Sequence, residues 1–471
     1  MKLARREFLH LAAGATRPAG PAGPPGGGGG GGRPFGQNVL DYGANPTGQS
    51  DSVGAFEAAM KAGGATTTRP RSYGLVQIPL GRYAFSRPCN LAVVGSQLGV
   101  RFQGECVATP LFGNGASSST IIAPPGDFAF KNGDFGLAGG LLNSFEHMCF
   151  QTGRGGGIYM AGGGLTVRNC MFAGGGTHIY LHSSWKSYIG QCVFRGSGRT
   201  DTNNFGCKIF GQECTLDTVD FEAMGTAVLL QGGSHEVRQM RCESSRHAFI
   251  LGQGEDGNPS FLVSFKISVG EMESNSQEIW IVSAERGEIS YFPILGHEIY
   301  DGDVFTQYAV RADHAVQVKL TGIGFGGRYT QAPIVSNVVG NCKLELCSGR
   351  NAMCAPANTT YPAGTTQIKL IRSPFDTQLP GWLVPGLTVT DPFVSNTFAP
   401  GTTVQQVIQP DTIVLSKPTT GRIIGSGYPP QGDTSVQGNF ISFTGPDGIA
   451  RGVFDGPATN GWMQELCDLG R

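Results

Sequence analysis

Charged residues are scarce in this sequence, and neither sign prevails. They make up 15% of the chain, and the formal net charge is -1. Proteins that bind nucleic acid or an acidic membrane surface concentrate positive charge, so we expect no nucleic-acid partner. No stretch is long and apolar enough to span a bilayer, and we expect no membrane insertion. The composition favours a neutral partner or none.

Motifs that hold metals or phosphates are also missing. The twelve cysteines include no C-x-x-C pair, and the eight histidines show no metal-ligand spacing. The glycine clusters lack the Lys-Ser/Thr ending of a phosphate-binding loop. The sequence therefore predicts no metal ion and no cofactor, and we expect most cysteines to be buried thiols.

Glycine is the residue that the sequence has in excess. There are 74 glycines among 471 residues, and hydrophobic residues make up 39%. This composition suits many tight turns between short strands better than long amphipathic helices. Because the chain is too long for one ordinary compact core, the sequence predicts several domains or a repeat that grows along one axis.

An internal repeat occupies the middle of the chain. Apolar residues align at steps of 22, 22, 27, 21 and 30 residues, at Phe150, Phe172, Phe194, Phe221, Cys242 and Met272. Two positions earlier, Cys170 and Cys192 predict a ladder of core thiols. Alternation by two within a strand and a period near 22 between strands are typical of a parallel β-helix. Asn169, Gln191 and Thr218, just before the strand, predict a polar turn with left-handed backbone.

The segment after the glycine-rich tract resembles a known superfamily. Residues 38–44, 50–52, 56–60 and 74–83 together resemble the opening segment of the pectate-lyase-like superfamily. This superfamily includes phage tailspikes and secreted polysaccharide-degrading enzymes. The resemblance implies an all-β fold, a right-handed single-stranded parallel β-helix with an N-terminal capping helix.

The residues themselves also predict this helix. Ser50 or Asp51 can cap it, and Val53, Phe56 and Met60 would face one side. A helix at this place would cover the open end of a solenoid.

Three parts of the chain are expected. In residues 1–37, Arg5 and Arg6 precede a short apolar run and a Pro/Gly-rich linker, which resembles a twin-arginine export signal or serves as a flexible tether. Residues 38–350 are expected to form the β-helix, and residues 351–471 a small C-terminal β-module and tail. The signal favours a secreted or periplasmic location, and the tailspike resemblance favours a virion.

A column of charged residues follows the outward side of the repeat. On adjacent coils the outward positions hold Arg195, Asp220, Glu222, Arg241, Glu243, Glu271 and Glu273. Neighbouring strands lie roughly 4.8 Å apart, and two like charges at that distance repel by about 3 kcal/mol at an effective dielectric of 20. One carboxyl group could therefore keep its proton near neutral pH, as a general acid requires. The alternative is a solvated polar face whose charge Arg241 balances.

This column predicts the catalytic groups of a glycoside hydrolase or a polysaccharide lyase. A hydrolase needs paired carboxylates, and a lyase also needs a cation such as Arg195 or Arg241 to neutralise a uronate. The candidate catalytic residues are Asp220, Glu222, Arg241, Glu243, Glu271 and Glu273, and Arg195 is a candidate for substrate binding.

A second repeated strand predicts an aromatic stripe on the outside. Its central residues are Tyr159, Tyr180, Phe249 and Trp280, and small or aliphatic residues flank each of them. Alternation along the strand predicts that the central residues point outward. Such a row is a platform for sugar rings, or it is covered by loops or neighbouring subunits.

Longer inserts interrupt the repeat at residues 199–204 and 253–260. On a solenoid, inserts protrude on one side, where binding usually occurs. Three functions stay open: a polysaccharide hydrolase or lyase, which the resemblance favours, a non-catalytic glycan-binding spike, and a purely structural solenoid. The resemblance implies a polysaccharide as partner, and its tailspike members allow a homotrimer.

Overall fold

The computed structural model of the protein covers the repeat and most of the C-terminal part. It describes residues 36–63, 74–94, 99–105, 118–132, 142–268, 271–273, 275–290, 293–295, 307–326, 334–349, 353, 355–356, 359–371, 377–391, 394–425, 439, 441–446, 454–455 and 462–465. Of the expected export signal and linker in residues 1–37, residues 1–35 lie outside the described residues.

Strands on successive coils pair in parallel and form three stacks. The first stack contains Gln37–Asn38, Gly74–Ile78, Val100–Gly104, Leu142–Glu146, Gly164–Arg168, Lys266–Ser268, Cys342–Glu345 and Trp462–Glu465. The second contains Thr47–Asp51, Gly81–Ala84, Ser119–Ile122, Met148–Gly153, Met171–Gly174, Glu271–Glu273, Pro293–Leu295, Gly324–Gly326 and Ser348–Gly349. The third contains Cys89–Asn90, Phe128–Lys131, Gly156–Ala161, Thr177–Trp185, Phe205–Gln212, Thr226–Gly233, His247–Leu251, Gln277–Ile281, Ile334–Gly340 and Phe454–Asp455.

Some strands take part in more than one stack because the chain bends within them. Tyr188–Arg195, Thr215–Glu222 and Glu236–Glu243 run from the first stack into the second. Tyr308–Thr321 runs from the third into the first. Leu262–Val263 and Ala284–Ser290 pair at the same junction of the third and first stacks.

A left-handed residue turns the chain from the first stack into the second. On successive coils it has φ between 46° and 58°, at His147, Asn169, Gln191, Thr218 and Gln239. The polar turn expected from the sequence is therefore confirmed.

The core contains the phenylalanine column in the expected register. Phe150, Phe172, Phe194 and Phe221 are aligned on adjacent coils. Their rings stack nearly parallel, with centroid distances of 4.5, 5.0 and 4.6 Å. Cys242 and Met272 continue the column. One column of buried side chains thus holds successive coils at a constant spacing.

A helix covers the N-terminal end of the solenoid, as expected. It spans Val53–Gly63, and the amide of Val53 donates a hydrogen bond to Asp51 Oδ1 at 3.3 Å. Phe56 is buried and its ring contacts those of Tyr83 and Phe85. Two 3₁₀ helices, Val39–Tyr42 and Leu91–Val94, pack against the same helix.

The C-terminal part contains small antiparallel sheets. Thr360–Tyr361 pairs with Ile423–Ile424, Thr388–Thr390 with Ser442–Thr444, and Thr412–Leu415 with both Gln367–Lys369 and Val404–Ile408. After these sheets the chain returns to the solenoid, because Phe454–Asp455 extends the third stack and Trp462–Glu465 the first. The indole of Trp462 donates a hydrogen bond to Ser336 Oγ at 2.9 Å.

Candidate functional site

The outer face of the second stack brings the predicted acidic column together. Arg195, Glu222, Glu243 and Glu273 are aligned on four successive coils. In the column beside it, Asp220, Arg241 and Glu271 are aligned in the same way. For Glu271 and Glu273 the structure describes the strand register alone, and their side chains lie outside the described residues.

Arginines are interleaved with the acids in this column. Arg241 contacts Glu243 at 2.6 Å and Asp220 at 3.9 Å, and Arg195 contacts Glu222 at 3.1 Å. The Glu222 side chain is 50% exposed, and exposed ion pairs contribute little to stability. These pairs balance the negative charge, which fits the solvated polar face that the sequence left as the alternative.

Asp220 has a raised pKa. Burial raises the pKa of this carboxyl group, Arg241 lowers it, and the nearby carboxylates of Glu222 and Glu243 raise it further. The cluster therefore includes one acid that holds its proton more tightly than an ordinary aspartate does.

A groove of about 400 Å³ lies on the same face, towards the N-terminal end. Arg82, Gln151 and Met171 are among the residues that line it, and Arg82 donates a hydrogen bond to Gln151 at 3.0 Å. The register continues from Gln151 through Ala173 to Arg195. The groove thus leads along the face to the acidic column.

The outer face of the third stack carries the aromatic residues, so the structure separates them from the acids. Tyr159 and Tyr180 are aligned on adjacent coils as expected, and Trp280 lies further along the same column. Tyr159 is buried, and Tyr180 and Trp280 are half-buried. The rings of Tyr159 and Tyr180 meet edge to face, with centroids 5.1 Å apart.

The expectation that Phe249 points outward is wrong. Phe249 is fully buried and aligned with the inward residues Val228 and Ile279, whereas Ile250 lies in the column of Trp280. The register expected for this coil was one residue out. Ala248 lies opposite Glu278, so it belongs to the buried corner column and not to the column of Ile279.

The remaining stripe is largely covered. Leu229 and Ile250 pack with Phe210 and Val282 in a buried cluster, against which Tyr180, Phe205 and Trp280 lie. The ammonium of Lys208 lies 5.1 Å from the centroid of the Tyr180 ring and 5.5 Å from that of Phe210. Little of this stripe is left as an open platform.

Residues 253–260 fold back over the end of this face. The Tyr180 hydroxyl donates a hydrogen bond to Glu255 Oε1, and His182 Nδ1 lies 3.9 Å from the same oxygen. Gln231 donates a hydrogen bond to Ser260 Oγ at 3.1 Å. The insert is therefore anchored at two points to strands of the third stack.

A groove of about 560 Å³ opens between this insert and the strands. Residues that line it include His182, Trp185, Gln212 and Glu255. The Trp185 side chain is 46% exposed, and those of His182 and Glu255 are 44% and 45% exposed. Gly211 is also in the lining, and a Cβ atom there would lie 2.0 Å from the Ser184 carbonyl oxygen. A glycine is therefore required where the strands approach closely.

The Tyr180 hydroxyl keeps its proton in this site. Burial and the hydrogen bond to Glu255 both raise its pKa well above the usual range for tyrosine. The phenol is therefore a donor that fixes the orientation of the Glu255 carboxylate. A carboxylate, an imidazole and an exposed indole then face one groove, which is a set suited to sugar binding and proton transfer.

Comparisons with known proteins identify the fold of the chain. No family model matches the sequence, and no curated protein matches it significantly. An endo-xylogalacturonan hydrolase from Aspergillus tubingensis is similar over 67% of this chain and 92% of its own, with 9% identity and a TM-score of 0.50. The chain has a right-handed parallel β-helix fold.

Two viral proteins are also similar to this β-helix. A protein of Geobacillus virus E2 is similar over 88% of this chain and 86% of its own, with 13% identity and a TM-score of 0.47. A mutant tailspike protein of E. coli bacteriophage HK620, in complex with hexasaccharide, is similar over 70% of this chain and 64% of its own, with 12% identity and a TM-score of 0.48. At these identities the likeness concerns the right-handed fold and not the site.

Sequence reasoning missed three residues of the groove in this β-helix. His182 lines the groove, whereas His178 on the same strand is buried. The centroid of the His178 ring lies 5.9 Å from that of Phe172 and 6.0 Å from that of Phe194. Glu255 belongs to the insert that was expected to protrude, and this was the available signal. Trp185 follows a bulge in its strand, and the repeat gives no indication of such a bulge.

Candidate metal sites and membrane-spanning helices are both absent from the described residues. Within the ranges given above, no group of three or more His, Cys, Asp or Glu side chains could hold a metal ion. In the same part of the chain, no helix has the length and apolar character needed to cross a membrane.

Proposed function

We propose that this protein binds a polysaccharide in the groove beside residues 253–260 and cleaves its glycosidic bonds there. One observation carries the proposal. The insert brings Glu255 to Tyr180 and His182, in the wall of a groove that also contains the exposed ring of Trp185.

The lining of the groove suits a sugar chain. Trp185 offers a flat apolar surface to the face of a sugar ring, and aromatic surfaces with a few placed polar groups are typical of ligand sites. Gln212, Gln231 and Ser260 supply amides and a hydroxyl for the sugar hydroxyl groups. The open groove would admit the middle of a long chain.

Glu255 and His182 are the proposed reacting groups. The Glu255 carboxylate serves as the base, held in place by the Tyr180 hydroxyl, and His182 serves as the acid. In a lyase reaction Glu255 removes a proton from the sugar and His182, as the cation, protonates the leaving oxygen. In a hydrolase reaction Glu255 activates water, and His182 takes the place of the second carboxylate that glycosidases ordinarily use. The product distinguishes the two reactions.

A second candidate site is the acidic column that the sequence predicts. The raised pKa of Asp220, which is flanked by Glu222 and Glu243, supports a general acid there. Arg195 and Arg241 would contact an anionic sugar, and Glu271 and Glu273 would extend the site by one coil. The pairing of these acids with arginines instead favours a binding face without catalysis.

The proposed location and assembly rest on the fold. A polysaccharide hydrolase and a phage tailspike share this fold, and fold alone does not set activity. We propose that the protein acts outside the cell or on a virion. We also propose a homotrimer, which analytical ultracentrifugation of the full chain would test.

A panel of neutral and acidic polysaccharides tests the proposed function. Unsaturated products are read by absorbance and new reducing ends by a chemical assay. We expect one glycan to give product, and Glu255→Gln to abolish it. Glu146→Gln is the matched control, because Glu146 is also an ion-paired surface glutamate, 2.7 Å from Arg101 on the first stack.

The same panel separates the two sites and the non-catalytic alternative. Full activity in Asp220→Asn and Glu243→Gln, with loss in Glu255→Gln, supports the groove. The opposite pattern moves the reaction to the acidic column. Retained glycan binding without product from any glycan would contradict the enzymatic part of the proposal.

A further inference from the structure

A carboxyl group that belongs to neither candidate site lies in the core of the solenoid. Glu278 belongs to the strand Gln277–Ile281 and its side chain is 0% exposed. At the same corner of the neighbouring coils the chain has Ala248 and Ala309, both fully buried. A charged residue type therefore occupies a position that its neighbours fill with methyl groups.

This carboxyl group has no hydrogen-bond partner among the described residues. Both Oε1 and Oε2 of Glu278 are buried without one, and so is the hydroxyl oxygen of Ser276. Unpaired buried polar atoms are costly, and an unpaired buried charge is far more costly. The site therefore favours the neutral acid strongly over the carboxylate.

Arg246 and Arg311 affect the pKa values of His247 and Tyr308, whereas the pKa shift of Glu278 has burial as its cause. The other titratable groups around Glu278 offer no compensating charge. They are Cys242 on the second stack, His247 on the preceding coil and Tyr308 on the next. Burial lowers the pKa of His247 to about 3 and raises the pKa values of Cys242 and Tyr308 well above neutrality. All three are neutral at pH 7, and burial alone raises the pKa of Glu278 well above its usual value.

We propose that Glu278 makes this coil pH-sensitive: the coil of residues 271–281 stays closed while the carboxyl group holds its proton, and it opens when the group ionises. The same coil carries Trp280 and the backbone of Glu271 and Glu273. Its opening would disturb the outer faces of both the second and the third stack. This property does not depend on which glycan the protein binds.

The direction of the pH dependence follows from linkage. The pKa of Glu278 is higher in the folded coil than in the open chain, where it is about 4.3. The stability that the proton provides is complete below that value and is lost as the pH rises towards the folded pKa. Within this window the opening constant increases about tenfold per pH unit.

Hydrogen exchange of the full chain, read by mass spectrometry on the peptide of residues 275–282, tests the proposal. The comparison uses wild type, Glu278→Gln and Glu278→Met between about pH 5 and pH 8, with intrinsic exchange rates removed. We expect the wild-type opening constant, divided by that of either variant, to rise about tenfold per pH unit. A ratio that stays constant, or that falls with pH, overturns the proposal.

Two further measurements keep the test decisive. Gln277→Met removes a buried amide from the same strand, and its effect on exchange should not change with pH. If neither Glu278 variant folds, wild type alone suffices, because exchange at residues 275–282 should rise with pH relative to residues 164–168, which contain no acid and no histidine. Equal changes in the two peptides would contradict the proposal.

Discussion

The hydroxyl of Tyr180 donates a hydrogen bond to the carboxylate of Glu255, which lies 75 residues further along the chain. This bond joins the third stack to the insert of residues 253–260. It closes one wall of the groove and sets the direction of the carboxylate that the insert brings to His182. Loop and solenoid therefore form one site.

The bond itself can be removed without changing the aromatic ring. In Tyr180→Phe we expect residues 253–260 to be cut faster by a protease, because one of the two anchors of the insert is lost. Tyr188→Phe is the matched control, since it removes a tyrosine bond to Asp217 on the first stack. Equal cleavage in wild type and Tyr180→Phe would show that the bond does not hold the insert.

The phenylalanine column should dominate the stability of the middle coils. Phe172 is fully buried between the rings of Phe150 and Phe194. Phe172→Ala removes two stacked contacts and leaves a cavity, so we expect unfolding to become easier by about 3–5 kcal/mol. Urea denaturation followed by circular dichroism measures this change, and a loss below about 1 kcal/mol would contradict it.

The left-handed turn contains one residue that is poorly suited to it. Thr218 is β-branched and has a φ of 54°. At the equivalent position of an earlier coil, Asn169 has a φ of 51°. Because asparagine adopts this geometry more readily, we expect Thr218→Asn to stabilise the fold by about 0.5–1 kcal/mol. Asn169→Thr should have the opposite effect in the same urea assay, and equal midpoints for both variants would refute the account.

Asp220 should make stability depend on pH. Its pKa is raised in the folded chain, mainly by burial, so the contribution of its proton is complete below about pH 3.9 and declines as the pH rises. We therefore expect Asp220→Asn to gain stability relative to wild type between about pH 4 and pH 7. Denaturation midpoints at several pH values measure this gain, and a difference that shrinks with pH would contradict it.

The periodic features could be predicted from the sequence because each coil repeats them. The column of Phe150 and Phe172 and the turn at Asn169 recur at nearly constant spacing, and the stacked strands require that spacing. The direction of Phe249 could not be predicted, because the sequence pattern does not show that Ala248 lies opposite Glu278 and not opposite Ile279. The contact of Glu255 with Tyr180 joins an insert to a distant coil, and no local pattern encodes it.

The acidic column shows a similar limit. Its register was predictable from the repeat, and the structure confirms the alignment of Glu222 with Glu243. The pairing of Arg241 with Glu243 and Asp220 depends on side-chain directions that alternation alone does not set. Sequence therefore located the charges but could not tell a reactive cluster from a balanced one.

Binding of the active glycan to groove variants tests the central claim most directly. Isothermal titration would compare wild type, Trp185→Ala and Trp185→Phe, the last of which keeps an aromatic ring. We predict that Trp185→Ala weakens binding at least tenfold, which corresponds to about 1.4 kcal/mol, and that Trp185→Phe retains most of the affinity. Unchanged affinity in Trp185→Ala would show that the glycan does not bind in this groove.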